Sequence, residues 1–135
     1  MIRVKLITTE GPWLAAIVQH GERQFCVMDD FTIDERFAPQ AGEEFDVELS
    51  ALTDERMLWE AMFAGNPNKT KGLEPLRGWA YRAFGQIVGI RPVVVDCGIV
   101  AVPDVLHTND SRVIGEFISF TISQLAATLH SPRGA

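Results

Sequence analysis

Apolar and polar residues alternate with a period of two along most of the chain, and the turns fall where that alternation stops. Arg3 to Thr8 sets Val4 and Leu6 against Arg3 and Lys5, as a half-exposed strand does. Glu10-Gly11-Pro12 interrupts it. Trp13 to Gln19 resumes it, and His20-Gly21-Glu22 has the composition of a hairpin turn before a third strand at Arg23 to Met28. Asp29 to Gln40 reads as an acidic loop. Strand signals return at Gly42, at Trp79 to Ile90, at Val93 to Val102 beyond Arg91-Pro92, and at Glu116 to Ser123, with a loop over Pro103 to Ser111. Leu125 to Leu129 either continues the last strand or forms a helical turn, and Ser131 to Ala135 reads as a loose tail.

One stretch changes period. Thr53 suits an N-cap, Asp54 and Glu55 suit a first turn, and Met57, Leu58, Ala61 and Met62 recur at helical spacing. Gly65 fits the position after a helix and Pro67 blocks its continuation. The spacing predicts a helix over 53–64, followed by a connecting loop over 65–78.

The strand that starts at Gly42 is echoed later in the chain. Gly42, Glu43, Ser50 and Leu52 find the same residue types at Gly115, Glu116, Ser123 and Leu125. Between them Phe45, Val47 and Leu49 match the apolar residues Ile118, Phe120 and Ile122. The echo predicts two related β-units, about 1–52 and 79–129, within a single domain of 1–135. Duplication and convergent strand patterning both explain it. The fold class expected is mainly β with one helix: a small antiparallel barrel of oligonucleotide-binding type, or alternatively a two-sheet sandwich.

Composition narrows the class. With 47% hydrophobic and 22% charged residues the chain is an ordinary globular one, long enough to form a core without metal or disulfide. No apolar run approaches the ~18 residues of a membrane span, and the N-terminus reads as a strand rather than a signal peptide. Cys26 and Cys97 sit among apolar strand residues, which favours buried reduced thiols and a cytoplasmic protein. The net charge of −6 is unevenly spread. Residues 1–60 hold thirteen acids and five bases, residues 61–135 five acids and seven bases.

Motif chemistry is sparse. No phosphate-binding loop, nucleophile elbow, His-Glu-x-x-His or paired-cysteine spacing is present, and no cofactor is expected. Asp104, His107 and Asp110 recur by threes, but such a loop is better read as turn-forming side chains than as metal ligands. His20 and His130 read as solvated surface residues. Asp96 beside Cys97 opposes thiolate formation. Arg77, Trp79, Tyr81, Arg82 and Phe84 interleave bases with aromatics, as single-strand-binding barrels do, although net acidity weighs against nucleic acid.

The strongest partner-binding candidates are acidic. Asp29, Asp30, Asp34 and Glu35 crowd one loop together with Phe31, Ile33 and Phe37, and Glu44, Asp46 and Glu48 share the outward face of the first echoed strand. Its second copy carries Phe117, Ser119 and Thr121 there. Acids mixed with aromatics fit an electrostatically steered protein interface. The expectation is therefore a non-enzymatic module that docks onto a basic protein, for instance an immunity or inhibitor protein that masks a toxin. A single-stranded nucleic-acid-binding barrel is the alternative, and self-association is left open.

Overall fold

The computed structural model describes residues 1–54 and 56–129; Glu55, His130 and the expected tail at 131–135 lie outside the described residues. The chain is mainly β. Its elements are β1 (Ile2–Thr9), β2 (Ala15–His20), β3 (Arg23–Asp30), β4 (Glu44–Thr53), α1 (Trp59–Ala64), β5 (Gly72–Pro75), β6 (Tyr81–Ile90), β7 (Val93–Asp96), β8 (Ala101–Pro103), a 3-10 turn (Ser111–Val113) and β9 (Phe117–Leu129). No helix among the described residues is long and apolar enough to cross a membrane. Contacts divide the chain into two units, Met1–Ser50 with Gln124 onward, and Ala51–Ser123.

The first unit is a barrel-like ring of five strands in the order β3-β2-β1-β4-β9. Met28, Asp29 and Asp30 of β3 pair in parallel with Ala126, Ala127 and Thr128 of β9 and close it. Closure leaves no open edge in the ring, which is how small β-folds avoid pairing with strangers. The alternation read from sequence fills the interior: Val4 and Leu6, Ala16 and Val18, Phe25 and Val27, Phe45 and Val47 are all buried. Phe31 packs on Phe45 with ring centroids 5.0 Å apart.

In the second unit β9 pairs with β6, whose other edge takes β5 and then β7, and β8 follows on β7. Among the described residues the outer edge of β8 has no strand partner. Tyr81, Ala83, Ile87, Val95, Val102, Ile118, Phe120 and Ile122 form its core.

The two halves repeat one hydrogen-bond register. Val4 pairs with Phe45 and Lys5 with Glu44; Gly85 pairs with Ile118 and Gln86 with Phe117. In β1 the register with β2 slips between Leu6 and Thr8, and in β6 the register with β7 slips between Ile87 and Gly89. Leu6 exchanges backbone hydrogen bonds with Gly42 and Glu43 (2.8 and 2.9 Å), and Ile87 does so with Gly115 and Glu116 (2.8 and 2.9 Å). Gly42 and Gly115 turn at φ 93° and 97°, a left-handed conformation that other residues adopt at a cost. The eleven-residue echo is therefore one visible part of a four-strand pattern, β1–β4 and β6–β9.

Several sequence expectations shift. The helix expected over 53–64 is confined to Trp59–Ala64, and Leu58 at its N-cap makes no side-chain cap. Thr53 ends β4 instead. The Asp54 N–H donates to the Thr121 carbonyl (3.0 Å) and the Ser123 hydroxyl to the Leu52 carbonyl (3.1 Å), so ladder bonds outcompete a cap. Gly65 follows the helix with φ −83°, outside the left-handed region. It is needed for space, because a Cβ there would stand 2.8 Å from Ser119 Cβ.

The expected strand over Val93 to Val102 is two strands, because Cys97–Val100 forms a turn through Gly98 at φ 91°. The connecting loop contains β5 and is anchored by buried Asn66, which donates to the Ile118 and Thr70 carbonyls (3.1 and 2.9 Å). Leu125 to Leu129 continues β9.

Candidate functional site

Asp29, expected on an acidic surface, is fully buried. Its carboxylate accepts from the backbone N–H groups of Phe31 and Thr32 (2.9 Å each), from the Thr32 hydroxyl (2.7 Å) and from the Thr9 hydroxyl. Its carbonyl accepts the Trp13 N–H at 2.6 Å, and its own N–H donates to the Leu14 carbonyl at 2.8 Å. Asp29 thus fastens the Glu10–Leu14 loop to the loop after β3. Phe31 is likewise core, so neither residue is available to a partner.

The row of acids on β4 is matched within the first unit. Across the β1–β4 ladder Lys5 stands opposite Glu44 and Arg3 opposite Asp46. Arg3 reaches Asp46 at 3.4 Å, and the N-terminal ammonium reaches Glu48 at 3.3 Å. Cross-strand opposite charges stabilise a sheet modestly and reduce the field it projects. The same face of the second copy does not point outward as expected. Ser119 is fully buried under Gly65, and its hydroxyl has no partner among the described residues. Acids would be costly on a face so covered.

Asp34 is also matched. Its carboxylate takes Nε and Nη2 of Arg36 at 3.0 and 2.8 Å and the Arg36 backbone N–H at 3.0 Å. Those bonds hold its pKa below the usual carboxylate range. The same two-residue clasp recurs at Asp54 with Arg56 and at Asp110 with Arg112. At Asp110 it brings the pKa down to about 2, chiefly through the Arg112 side chain. Asp110 therefore has no free lone-pair set for a metal. Among the described residues no group of three His, Cys, Asp or Glu side chains could hold an ion.

What the loops expose instead is apolar. Trp13 and Phe37 are each 60% exposed, and Leu14 and Ile33 are close to half exposed. Trp13 sits at φ 64°, a strained setting that the Asp29 tie maintains. Glu10 and Glu35 lie on the same loops and Asp30 ends β3; none of the three makes an ion pair among the described residues, and Asp30 accepts the Thr128 hydroxyl at 3.0 Å. The sequence placed Phe37 and Ile33 in this loop but assigned Trp13 to a strand. Gly11-Pro12 was the signal that the turn runs further.

The aromatic and basic residues of the second half do not share one face. Tyr81 is 1% exposed and belongs to the core, on the opposite face of β6 from half-buried Arg82 and Phe84. Arg82 stands opposite Glu74 in the β5–β6 ladder. Arg77 and Trp79 lie in the turn before β6. Neither cysteine is in a disulfide. Burial, with a smaller contribution from Asp96, pushes the Cys97 thiol up to about 12, and burial also raises Cys26. Thiols held protonated are poor nucleophiles.

Comparison with known proteins finds no matching family model, no matching curated protein and no matching solved structure.

Proposed function

We propose that this chain is a non-enzymatic protein-binding module that docks through the two loops fastened by Asp29 onto a partner with a basic surface. The observation that carries the reading is the exposure of Trp13 and Phe37, 60% each, on loops that also bear Glu10 and Glu35, which make no ion pair among the described residues. Large aromatic side chains held on rigid supports are typical anchors of protein interfaces, and unpaired carboxylates around them steer a cationic partner. An immunity or inhibitor protein that covers the cationic site of a toxin in the cytoplasm is the concrete case. The reading moves the contact from the acids of β4, of which Asp46 and Glu48 are ion-paired and Glu44 stands opposite Lys5, to the loops.

Capture of partners on the immobilised chain at low and high salt tests this. A bound protein that is released by salt and lost on Trp13→Ala or Phe37→Ala, by roughly thirtyfold in Kd for an anchor residue, is the expected result. A partner indifferent to both substitutions and to Glu35→Gln would overturn it.

A further inference from the structure

The hairpin ends of the two halves differ, and a cavity lies beside the second. Thr9 opposite Ala16 in the first half corresponds in register to Ile90 opposite Val93 in the second. In the first half the chain between those positions forms the Glu10–Leu14 loop, which folds onto Asp29. In the second half only Arg91 and Pro92 intervene. The space beside them is an open cleft of about 350 Å³, bounded on its far side by Leu106 to Asn109.

The cleft has a defined chemistry. Ile90, Pro92, Val93 and Leu106 supply apolar wall, and Arg91, His107, Thr108 and Asn109 supply the polar groups. No carboxylate lines it, in a chain whose net charge is −6. Arg91 makes no ion pair among the described residues, and the nearby Asp110 is occupied by Arg112. The Thr108 oxygen accepts the Asp110 N–H at 3.1 Å, which leaves its own proton to donate. The volume is at the lower end of small-molecule sites, where apolar walls with a few placed polar groups are the rule.

We propose that this cleft binds a small organic carboxylate with a compact apolar body: the carboxylate pairs with the Arg91 guanidinium and accepts from Thr108, and the body lies against Ile90, Val93 and Leu106. A planar guanidinium receives a carboxylate through two parallel hydrogen bonds, which an ammonium cannot do. The proposal concerns the second unit alone and stands apart from the docking loops of the first.

Benzoate is the probe, titrated into the full chain while backbone amide shifts are followed. The expected result is a saturable change centred on Ile90–Val93 and Leu106–Asn109, with Kd on the order of 1 mM for a ligand of this size. Arg91→Gln weakens it roughly tenfold and Arg91→Lys recovers only part of the loss. Thr108→Val, which removes the donor and keeps the shape, weakens it several-fold. Benzyl alcohol, with the same ring and no charge, binds far more weakly. Shifts that do not saturate, equal binding of benzyl alcohol, or unchanged affinity in both Arg91→Gln and Thr108→Val would overturn the assignment.

Discussion

The four strands β1–β4 and the four strands β6–β9 share pairing, bulge and turn glycines, yet their ends are finished in opposite ways. In the first half the fourth-strand register is followed by ring closure, with β9 running parallel to β3, and a long hairpin loop is tied down by a buried carboxylate. In the second half β8 remains an edge among the described residues. Its hairpin is cut to Arg91 and Pro92, and the buried Leu106 lines an open cleft beside them. Register belongs to the framework, where backbone hydrogen bonding and alternation leave little freedom. Loop length differs on the same framework: the longer loop carries anchored side chains, and the shorter one borders a cleft.

The largest expected effect comes from removing the tie that has no counterpart in the second half. Asp29→Ala strands the buried Phe31 N–H and the part-buried donors of Thr9 and Thr32 and is expected to cost about 4 kcal/mol, read as a lowered urea midpoint. The backbone bonds of residue 29 to Trp13 and Leu14 remain in place, so the loss reads the carboxylate alone. A loss below about 1 kcal/mol would mean that the loops are held by something else.

Next comes a point where the strand cores diverge. Val4 occupies the ladder position that Gly85 holds in β6. A Cβ on Gly85 would stand 2.6 Å from the Asp96 carbonyl oxygen and 2.9 Å from Cys97 Sγ. Gly85→Ala should therefore cost about 3 kcal/mol by overpacking, whereas Val4→Ala should cost about 2 kcal/mol by leaving a cavity. If the glycine substitution is neutral, the second half is looser than its register implies.

The smallest effect sharpens the same contrast through pH. Cys97 fills the space above Gly85, and burial pushes its thiol from the ordinary 9.0 up to about 12. Above about pH 9 the unfolded chain releases this proton and the folded chain keeps it, so the unfolded state binds fewer protons and stability falls as pH rises toward 12. Cys97→Ala should flatten that decline, by at most about 1.4 kcal/mol per pH unit. Equal slopes for the two proteins would show the thiol to be accessible.

Much of the framework could be read from the chain. Alternation located β1, β3, β4 and β6 to within a few residues, and the echo at Gly42 and Gly115 marked equivalent turns. What could not be read depended on partners distant in sequence. Thr53 and Asp54 look like a helix start until Thr121 and Ser123 claim them for the sheet. Asp29 looks like surface charge until four donors converge on it. The acids of β4 look like a docking face although Arg3 and Lys5 of β1 already carry the complementary row, a signal present in the sequence and visible once the two strands are paired. Ser119 looked exposed because nothing in its own strand reveals that Gly65 lies against it.

Ring closure by residues from Gln124 onward has a consequence for biosynthesis. Residues 51–123 are contiguous and can assemble as they leave the ribosome, but the nascent first unit waits for Gln124 and the rest of β9 to seal it. Until then the outer edges of β3 and β4 are bare templates for other polypeptides. Asp30, Glu44, Asp46 and Glu48 stand on those strands, so charge there guards an unfinished protein against misassembly during translation.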